Sequence, residues 1–150
     1  MFAGHRGGTA AAQAMNSALS DANLSPAEID YVNLHGTGTH LNDSMESRGV
    51  DLIFGSYKVP ASSTKPLTGH TLGAAGSLEL AVCFYAIKEQ KFPLHVWDGV
   101  LDEQIPKLNL VTENYALSAP LDHNSKIQCC MSNSFAFGGC NASLILKEVN

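Results

Sequence analysis

The sequence lacks the features that mark several broad classes of protein. Charged residues make up only 15% and apolar residues 45% of the 150 residues, a balance that excludes an intrinsically disordered chain. No run of about 18 apolar residues occurs, so no membrane-spanning helix is expected. Nine basic residues against 14 acidic ones give a net charge of −5, which argues against binding to nucleic acid. The stretch from Met1 to Gly8 is too short and polar for a secretory signal, so a cytoplasmic protein is expected.

Cysteine is also scarce, and its spacing matches neither a disulfide framework nor a metal site. The four cysteines are Cys83, Cys129, Cys130 and Cys140. The adjacent Cys129 and Cys130 would point to opposite faces of a strand. A zinc site built from His35, His40 or Cys140 has no standard ligand spacing. We therefore expect no metal and four reduced, mostly buried thiols in a cytosolic protein.

Apolar periodicity predicts one α/β domain over residues 1–150, because no repeat or linker divides the chain. The predicted helices are Thr9–Asn23, a segment that begins at Asn42 or Asp43 and stops at Gly55, and Thr71–Gln90. The predicted strands are Ile29–Leu34, Val59–Thr64, Asn109–Val111, Lys126–Ser134 and Asn141–Val149. The turn between the last two strands predicts an antiparallel hairpin, and the order of elements predicts a mixed sheet. Glu46 is placed to close a capping box on Asp43.

The predicted helix Thr71–Gln90 has almost no polar face. Such a helix is normally buried on all sides and needs elements both above and below it. A 150-residue domain with one sheet rarely provides both layers, so half of the structure is expected to lie outside this chain. Glu79 interrupts this apolar helix, and a buried carboxylate without a partner is costly. Lys65 is the nearest lysine or arginine that precedes Glu79 in the sequence, and it is either exposed, the ordinary case, or paired with Glu79.

Two histidines lie at positions typical of active sites in α/β proteins. His35 follows a predicted strand end and begins a Gly/Thr loop. His70 precedes the apolar helix, whose partial positive charge at the N-terminus disfavours an imidazolium. We therefore expect His70 to be neutral near pH 7 and able to donate a hydrogen bond to a carbonyl that is becoming an enolate. Taken alone, each histidine also suits a structural hydrogen-bonding role.

Two glycine-containing turns are further candidates. The turn Phe137-Gly138-Gly139 can aim two backbone N–H groups at one point, as an oxyanion hole does, or it can be a plain hairpin turn. The glycines of the stretch from Gly69 to Gly76 could cradle a phosphate at a helix start. This stretch lacks the Gly-Lys-Ser/Thr ending of a P-loop, and close helix packing explains its glycines better.

Four motifs occur in one order along the chain, and together they carry a family resemblance. They are His35-Gly-Thr-Gly-Thr39, Ser63-Thr-Lys65, Thr68-Gly-His70-Thr-Leu-Gly-Ala-Ala-Gly76 and Asn133-Ser-Phe-Ala-Phe-Gly-Gly139. From about Gly8 to Lys147 the chain resembles the C-terminal half of β-ketoacyl-acyl-carrier-protein synthases, the condensing enzymes of fatty-acid and polyketide synthesis. The resemblance implies half of a thiolase-like α/β fold with a five-stranded mixed sheet. It also implies a central layer of helices shared with the other half, and a homodimer.

The resemblance also implies a reaction and the residues that perform it. A cysteine takes an acyl group from a carrier protein, a malonyl-carrier thioester loses carbon dioxide, and its carbanion attacks the acyl thioester. His35 and His70 would hydrogen-bond the malonyl thioester carbonyl. Lys65 would be the family lysine and Glu79 the carboxylate that organises it. The remaining two residues belong to the gating turn: Phe137 would be its phenylalanine, with Gly138 beside it, and the Phe137 N–H would serve the acyl oxyanion. No cofactor is implied.

Several departures from the family pattern limit what this chain does alone. The family nucleophile belongs to the N-terminal half, and none of the four cysteines here lies in its context. Cys140 stands where Thr is expected, Ala136 where Gly is common and His40 where Pro is common. We therefore expect no condensing activity from the isolated chain. A non-catalytic subunit like a chain-length factor and an acyl or carrier-protein binding module are the alternatives.

Overall fold

A computed structural model describes residues 7–118, 126–136 and 139–149 of the chain, although nothing is stated of the side chains of residues 116–118. The helices are α1 (Thr9–Ala22), α2 (His40–Phe54), α3 (Lys65–Thr68), α4 (Ala75–Glu89) and α5 (Glu113–Ser118). The strands are β1 (Tyr31–Asn33), β2 (Pro60–Ser62), β3 (Asn109–Leu110), β4 (Cys129–Phe135) and β5 (Asn141–Lys147). Within these residues, no helix combines the length and apolar character that a membrane span requires.

The five strands form a single sheet in the order β3-β2-β1-β4-β5. The pairs β3–β2, β2–β1 and β1–β4 are parallel, whereas β4–β5 is antiparallel. The predicted five-stranded mixed sheet and the predicted hairpin are therefore confirmed. The first two strands are shorter than the predicted Ile29–Leu34 and Val59–Thr64. All four parallel strands end at one edge, where α/β proteins hold their sites.

The sheet separates two layers of helices, and side-chain alternation along β4 shows this directly. Cys129 and Met131 lie in the core with α1 and α2, whereas Cys130 lies on the opposite face with Tyr31 and Cys83. The prediction that the adjacent cysteines face opposite sides is confirmed. Gly49 allows the close packing of α1 on α2, since a Cβ there would lie 2.8 Å from the Ala11 Cβ. The α1/α2 face contains the larger of the two buried clusters.

Helix α4 covers the other face, but the prediction that it is buried on all sides is not met within this chain. One stripe of α4, formed by Ala75, Glu79, Cys83 and Ala86, is buried against the sheet. On its outer side Phe84 is 52% and Tyr85 56% exposed. Apolar residues occur on every side of α4, yet the described residues provide only the sheet for this helix to pack against. In the described part of the chain, the outer face of α4 around Phe84 and Tyr85 therefore stays exposed.

Candidate active site

The site begins where β1 ends, at the loop that carries His35. Glu46 of α2 is buried and accepts hydrogen bonds from the backbone N–H groups of His35 and Gly36, each at 2.8 Å. The predicted capping box on Asp43 is wrong, because α2 begins earlier, at His40, and the Glu46 carboxylate turns inward to these unpaired N–H groups. The Asn133 amide of β4 donates to the same carboxylate at 3.4 Å. Glu46 thus anchors the His35 loop to α2 and β4.

Gly36 brings this loop against the turn that follows β2. Its backbone is left-handed, with φ +40°, and a Cβ at this position would lie 2.4 Å from the Ser63 Cβ. Any larger residue would force the two loops apart. Ser63 closes the contact, because its Oγ donates to the Gly36 carbonyl at 2.8 Å. Ser63 is almost fully buried.

A buried ion pair follows directly after this contact. Lys65 Nζ pairs with Glu79 Oε1 of α4, and the two side chains are only 6% and 3% exposed. The predicted partnership is thus present, and the alternative of an exposed lysine is wrong. Lys65 Nζ also lies 3.4 Å from Nδ1 of His35. An ammonium has donors only, so it donates to the His35 ring at Nδ1. The proton of a neutral His35 therefore resides on Nε2.

His70 completes the group, although its local setting differs from the prediction. The structure places it five residues before the start of α4, with a 3₁₀ turn at Leu72–Ala74 between them. The prediction of a helix-start position is therefore wrong, because the intervening turn delays the helix. The ring of His70 meets that of His35 edge to face, with centroids 5.3 Å apart. The backbone N–H of Leu72 donates to Nδ1 of His70 at 3.1 Å, which leaves Nε2 to carry the proton of a neutral ring.

Burial and charge determine the protonation of the group. Burial, followed by the nearby Lys65 and His70, lowers the pKa of His35 to about 4, so this ring is neutral at pH 7. Burial raises the pKa of Glu79, while its pairing with Lys65 opposes that rise. Burial also raises the pKa of Glu46 to about 7, despite the two backbone N–H groups that favour its ionised form. The site therefore contains the neutral imidazole of His35 next to Lys65, whose charge is balanced by Glu79.

The predicted gating residues fall outside this description. Phe137 and Gly138 are not among the described residues, so the structure does not place them. Phe135, which was not predicted, lies 6.1 Å from His35 between ring centroids and is buried at the end of β4. Phe135 belongs to the same sequence motif as Phe137, and this was the feature of the sequence that could have identified it as a site residue. Glu46 was also missed, since its partners at His35 and Gly36 are backbone groups that carry no side-chain signature.

The cysteines do not form part of this group. Cys83, Cys129 and Cys130 are buried, and Cys140 is exposed in the hairpin. Burial raises the pKa of Cys129 to about 11, and the hydrogen bond with Cys83, followed by burial, raises the pKa of Cys130 well above its usual range. Thiols with raised pKa values are poor nucleophiles, because the thiolate is the reactive form. In the described part of the chain, no cluster of three or more His, Cys, Asp or Glu side chains is arranged to hold a metal ion.

The chain is similar in sequence to known proteins. Residues 1–96 match the family model described as "Beta-ketoacyl synthase, C-terminal domain". The chain is 40% identical over 143 residues to a 3-oxoacyl-[acyl-carrier-protein] synthase 2 from Coxiella burnetii, covering 90% of this chain and 31% of that protein. It is also 40% identical over 141 residues to a nodulation protein E from Rhizobium leguminosarum bv. trifolii, covering 91% and 32%. The chain therefore spans about a third of the length of these relatives.

Solved structures share the fold. A ketosynthase in complex with its chain length factor from Xenorhabdus doucetiae superposes with a TM-score of 0.79 at 45% identity, covering 93% of this chain and 33% of that one. A β-ketoacyl synthase from Burkholderia phymatum STM815 gives a TM-score of 0.82 at 33% identity, covering 98% and 34%. In both cases this chain corresponds to about one third of the neighbour's chain.

Proposed function

Because the chain belongs to the β-ketoacyl synthase family as its C-terminal domain, we propose that it provides the malonyl-decarboxylating half of a condensing active site. The observation that carries this proposal is the pairing of His35 and His70. Each ring accepts a hydrogen bond at Nδ1, so each neutral ring has an N–H donor left at Nε2. Two such donors at one position can bind the oxygen of a thioester as it gains charge.

The chemistry follows from where the charge develops. The bond between the malonyl carboxylate and the α-carbon breaks, carbon dioxide leaves, and the electron pair passes to an enolate. The N–H groups of His35 and His70 stabilise the enolate oxygen. The α-carbon then attacks an acyl thioester on a cysteine of the N-terminal half, whose thiolate leaves. Lys65 holds the His35 ring through Nδ1, and Glu79 balances the lysine charge.

The proposed partners follow from the same scheme. Acyl carrier proteins would deliver the acyl and malonyl thioesters, and a cysteine-bearing N-terminal half would complete the site. That half would cover the exposed outer face of α4, where Phe84 and Tyr85 offer apolar area. We expect the complete synthase to be a cytoplasmic dimer whose gating turn includes Phe137 and Gly138.

The chain-length-factor and binding-module alternatives are less well supported. Curated relatives from Coxiella burnetii and Haemophilus influenzae, among others, are 3-oxoacyl-[acyl-carrier-protein] synthases. A subunit without a catalytic role would have no need of both His35 and His70 in ring contact. A free-standing binding module would leave the outer face of α4 uncovered.

The test separates decarboxylation from acyl loading in the chain assembled with its cysteine-bearing half. Replacing either histidine, as His35→Ala or His70→Ala, should slow carbon dioxide release from malonyl-carrier protein by about 10²- to 10³-fold, the typical cost of losing one oxyanion donor. Mass spectrometry should still detect acyl loading of the cysteine. His40→Ala, at an exposed histidine, is the matched control and should leave both steps unchanged. Lost loading with persistent decarboxylation would overturn the assigned roles.

A further inference from the structure

The pairing of β2 with β3 stops just before the candidate site. Ala61 of β2 pairs with Leu110 of β3, and the Val111 N–H donates to the Ala61 carbonyl at 2.9 Å. In a continuing parallel ladder, the Ser63 N–H would donate next to the Val111 carbonyl. Instead, both of these groups bind a residue from outside the sheet.

That residue is His95, which lies in the irregular segment after α4. Its backbone N–H donates to the Val111 carbonyl at 2.7 Å, and its ring Nδ1 accepts from the Ser63 N–H at 3.0 Å. His95 therefore replaces one rung of the ladder with a backbone group and a side-chain atom. Neither strand is left with an unpaired group at this point, and the ends of β2 and β3 are held apart.

The Ser63 contact leads directly to the two loops of the site. Ser63 Oγ donates to the Gly36 carbonyl at 2.8 Å and accepts from the Lys65 N–H at 3.3 Å. Gly36 directly follows His35, and Lys65, the first residue of α3, places its Nζ against the His35 ring. Through Ser63, His95 is thus connected to the Gly36 carbonyl, next to His35, and to the backbone N–H of Lys65.

The ring of His95 is suited to accept this bond. Nδ1 can accept only when it carries no proton, and burial lowers the pKa of His95 against a weaker opposing effect of Asp43. The Trp97 ring also contacts it, with ring centroids 5.9 Å apart. At neutral pH the ring is therefore held with Nδ1 toward Ser63.

We infer that His95 is a positioning residue of the candidate site: its Nδ1 fixes Ser63 and so holds Lys65 against His35. The inference rests on the proposed function only where it concerns decarboxylation. The geometric part concerns the chain itself and can be tested without any turnover.

The test uses a pair of variants in the full chain. His95→Asn keeps an acceptor, because its amide oxygen can take the place of Nδ1, whereas His95→Leu removes it. Val96→Ala, at an exposed neighbour, is the control. NMR of ring-labelled histidine follows the titration of His35, and amide hydrogen exchange follows Ser63. His95→Leu should raise the His35 midpoint, since Lys65 would no longer be held beside the ring, and should speed Ser63 exchange by about tenfold or more.

His95→Asn should restore both readings toward those of the unaltered chain, and in the assembled synthase only His95→Leu should lose about tenfold in decarboxylation rate. Unchanged His35 titration in His95→Leu would overturn the inference. Equal shifts in both variants would also overturn it, since the ring volume rather than the acceptor would then matter. If the unaltered assembly released no carbon dioxide, the proposed function would fail, while the titrations would still decide the role of His95.

Discussion

The two faces of the sheet differ in how completely this chain covers them. On one face, α1 and α2 enclose a cluster of buried side chains that includes Met15, Val32 and Phe54. On the other face, α4 buries a single stripe and leaves Phe84 and Tyr85 half exposed. Among the described residues, the first face is covered by two helices, whereas the second is covered by α4, whose own outer side stays exposed.

This contrast explains how the site is built. Glu46 and Asn133 hold the His35 loop from the face that α1 and α2 cover. Glu79 of α4 holds Lys65 from the other face, which is only partly covered. The histidine pair thus depends on contacts from both faces of the sheet, including the α4 face, which the described residues cover only in part.

The largest expected effect comes from breaking the ion pair between α4 and the site. Glu79→Gln should lower the free energy of unfolding by roughly 3 to 5 kcal/mol, since it leaves the Lys65 charge buried without a partner. Replacing both residues, as Lys65→Met with Glu79→Leu, should recover most of that loss. Denaturant unfolding measures both changes.

The chain offers a matched control on its surface. Lys58 and Asp51 form an ion pair at 3.2 Å with side chains about half exposed. Asp51→Asn should cost less than about 1 kcal/mol, because exposed pairs are screened by solvent. A Glu79→Gln cost as small as that of Asp51→Asn would show that the buried pair does not hold the α4 face.

The next effect compares the two faces directly. Met15→Ala, in the core under α1, should cost about 3 kcal/mol in the free energy of unfolding, because it opens a cavity. Phe84→Ser, on the outer face of α4, should change the stability of the chain alone by less than about 0.5 kcal/mol. The same change should weaken association with the N-terminal half. A large loss of stability for Phe84→Ser in the chain alone would mean that the face is already covered.

The sequence predicts the elements well where periodicity is strong, as in α1, β4 and β5. It also predicts the Lys65–Glu79 pair, because a carboxylate in an apolar helix needs a cation. The roles of Glu46 and His95 could not be read from it, since both bind backbone N–H groups that any residue would supply. The apolar pattern of α4 predicts burial on every side, but among the described residues the sheet alone packs against the helix, along one stripe.

A smaller effect concerns the pH dependence of the site. The pKa of His35 is lowered to about 4 in the fold, below its ordinary value of about 6.5. The unfolded chain therefore binds a proton between these values that the fold excludes, so His35 should reduce stability as the pH falls from 6.5 to 4. NMR titration should give a midpoint near 4, and one near 6.5 would contradict a buried ring beside Lys65.

The most direct test of the account is light scattering of the purified chain with a dye that reports exposed apolar surface. We predict that the chain binds the dye and associates, and that adding a cysteine-bearing N-terminal half removes the dye signal. This result would place the functional unit beyond this chain, across the outer face of α4. A monomer that excludes the dye and unfolds cooperatively would contradict the account, since α4 would then be covered within the 150 residues.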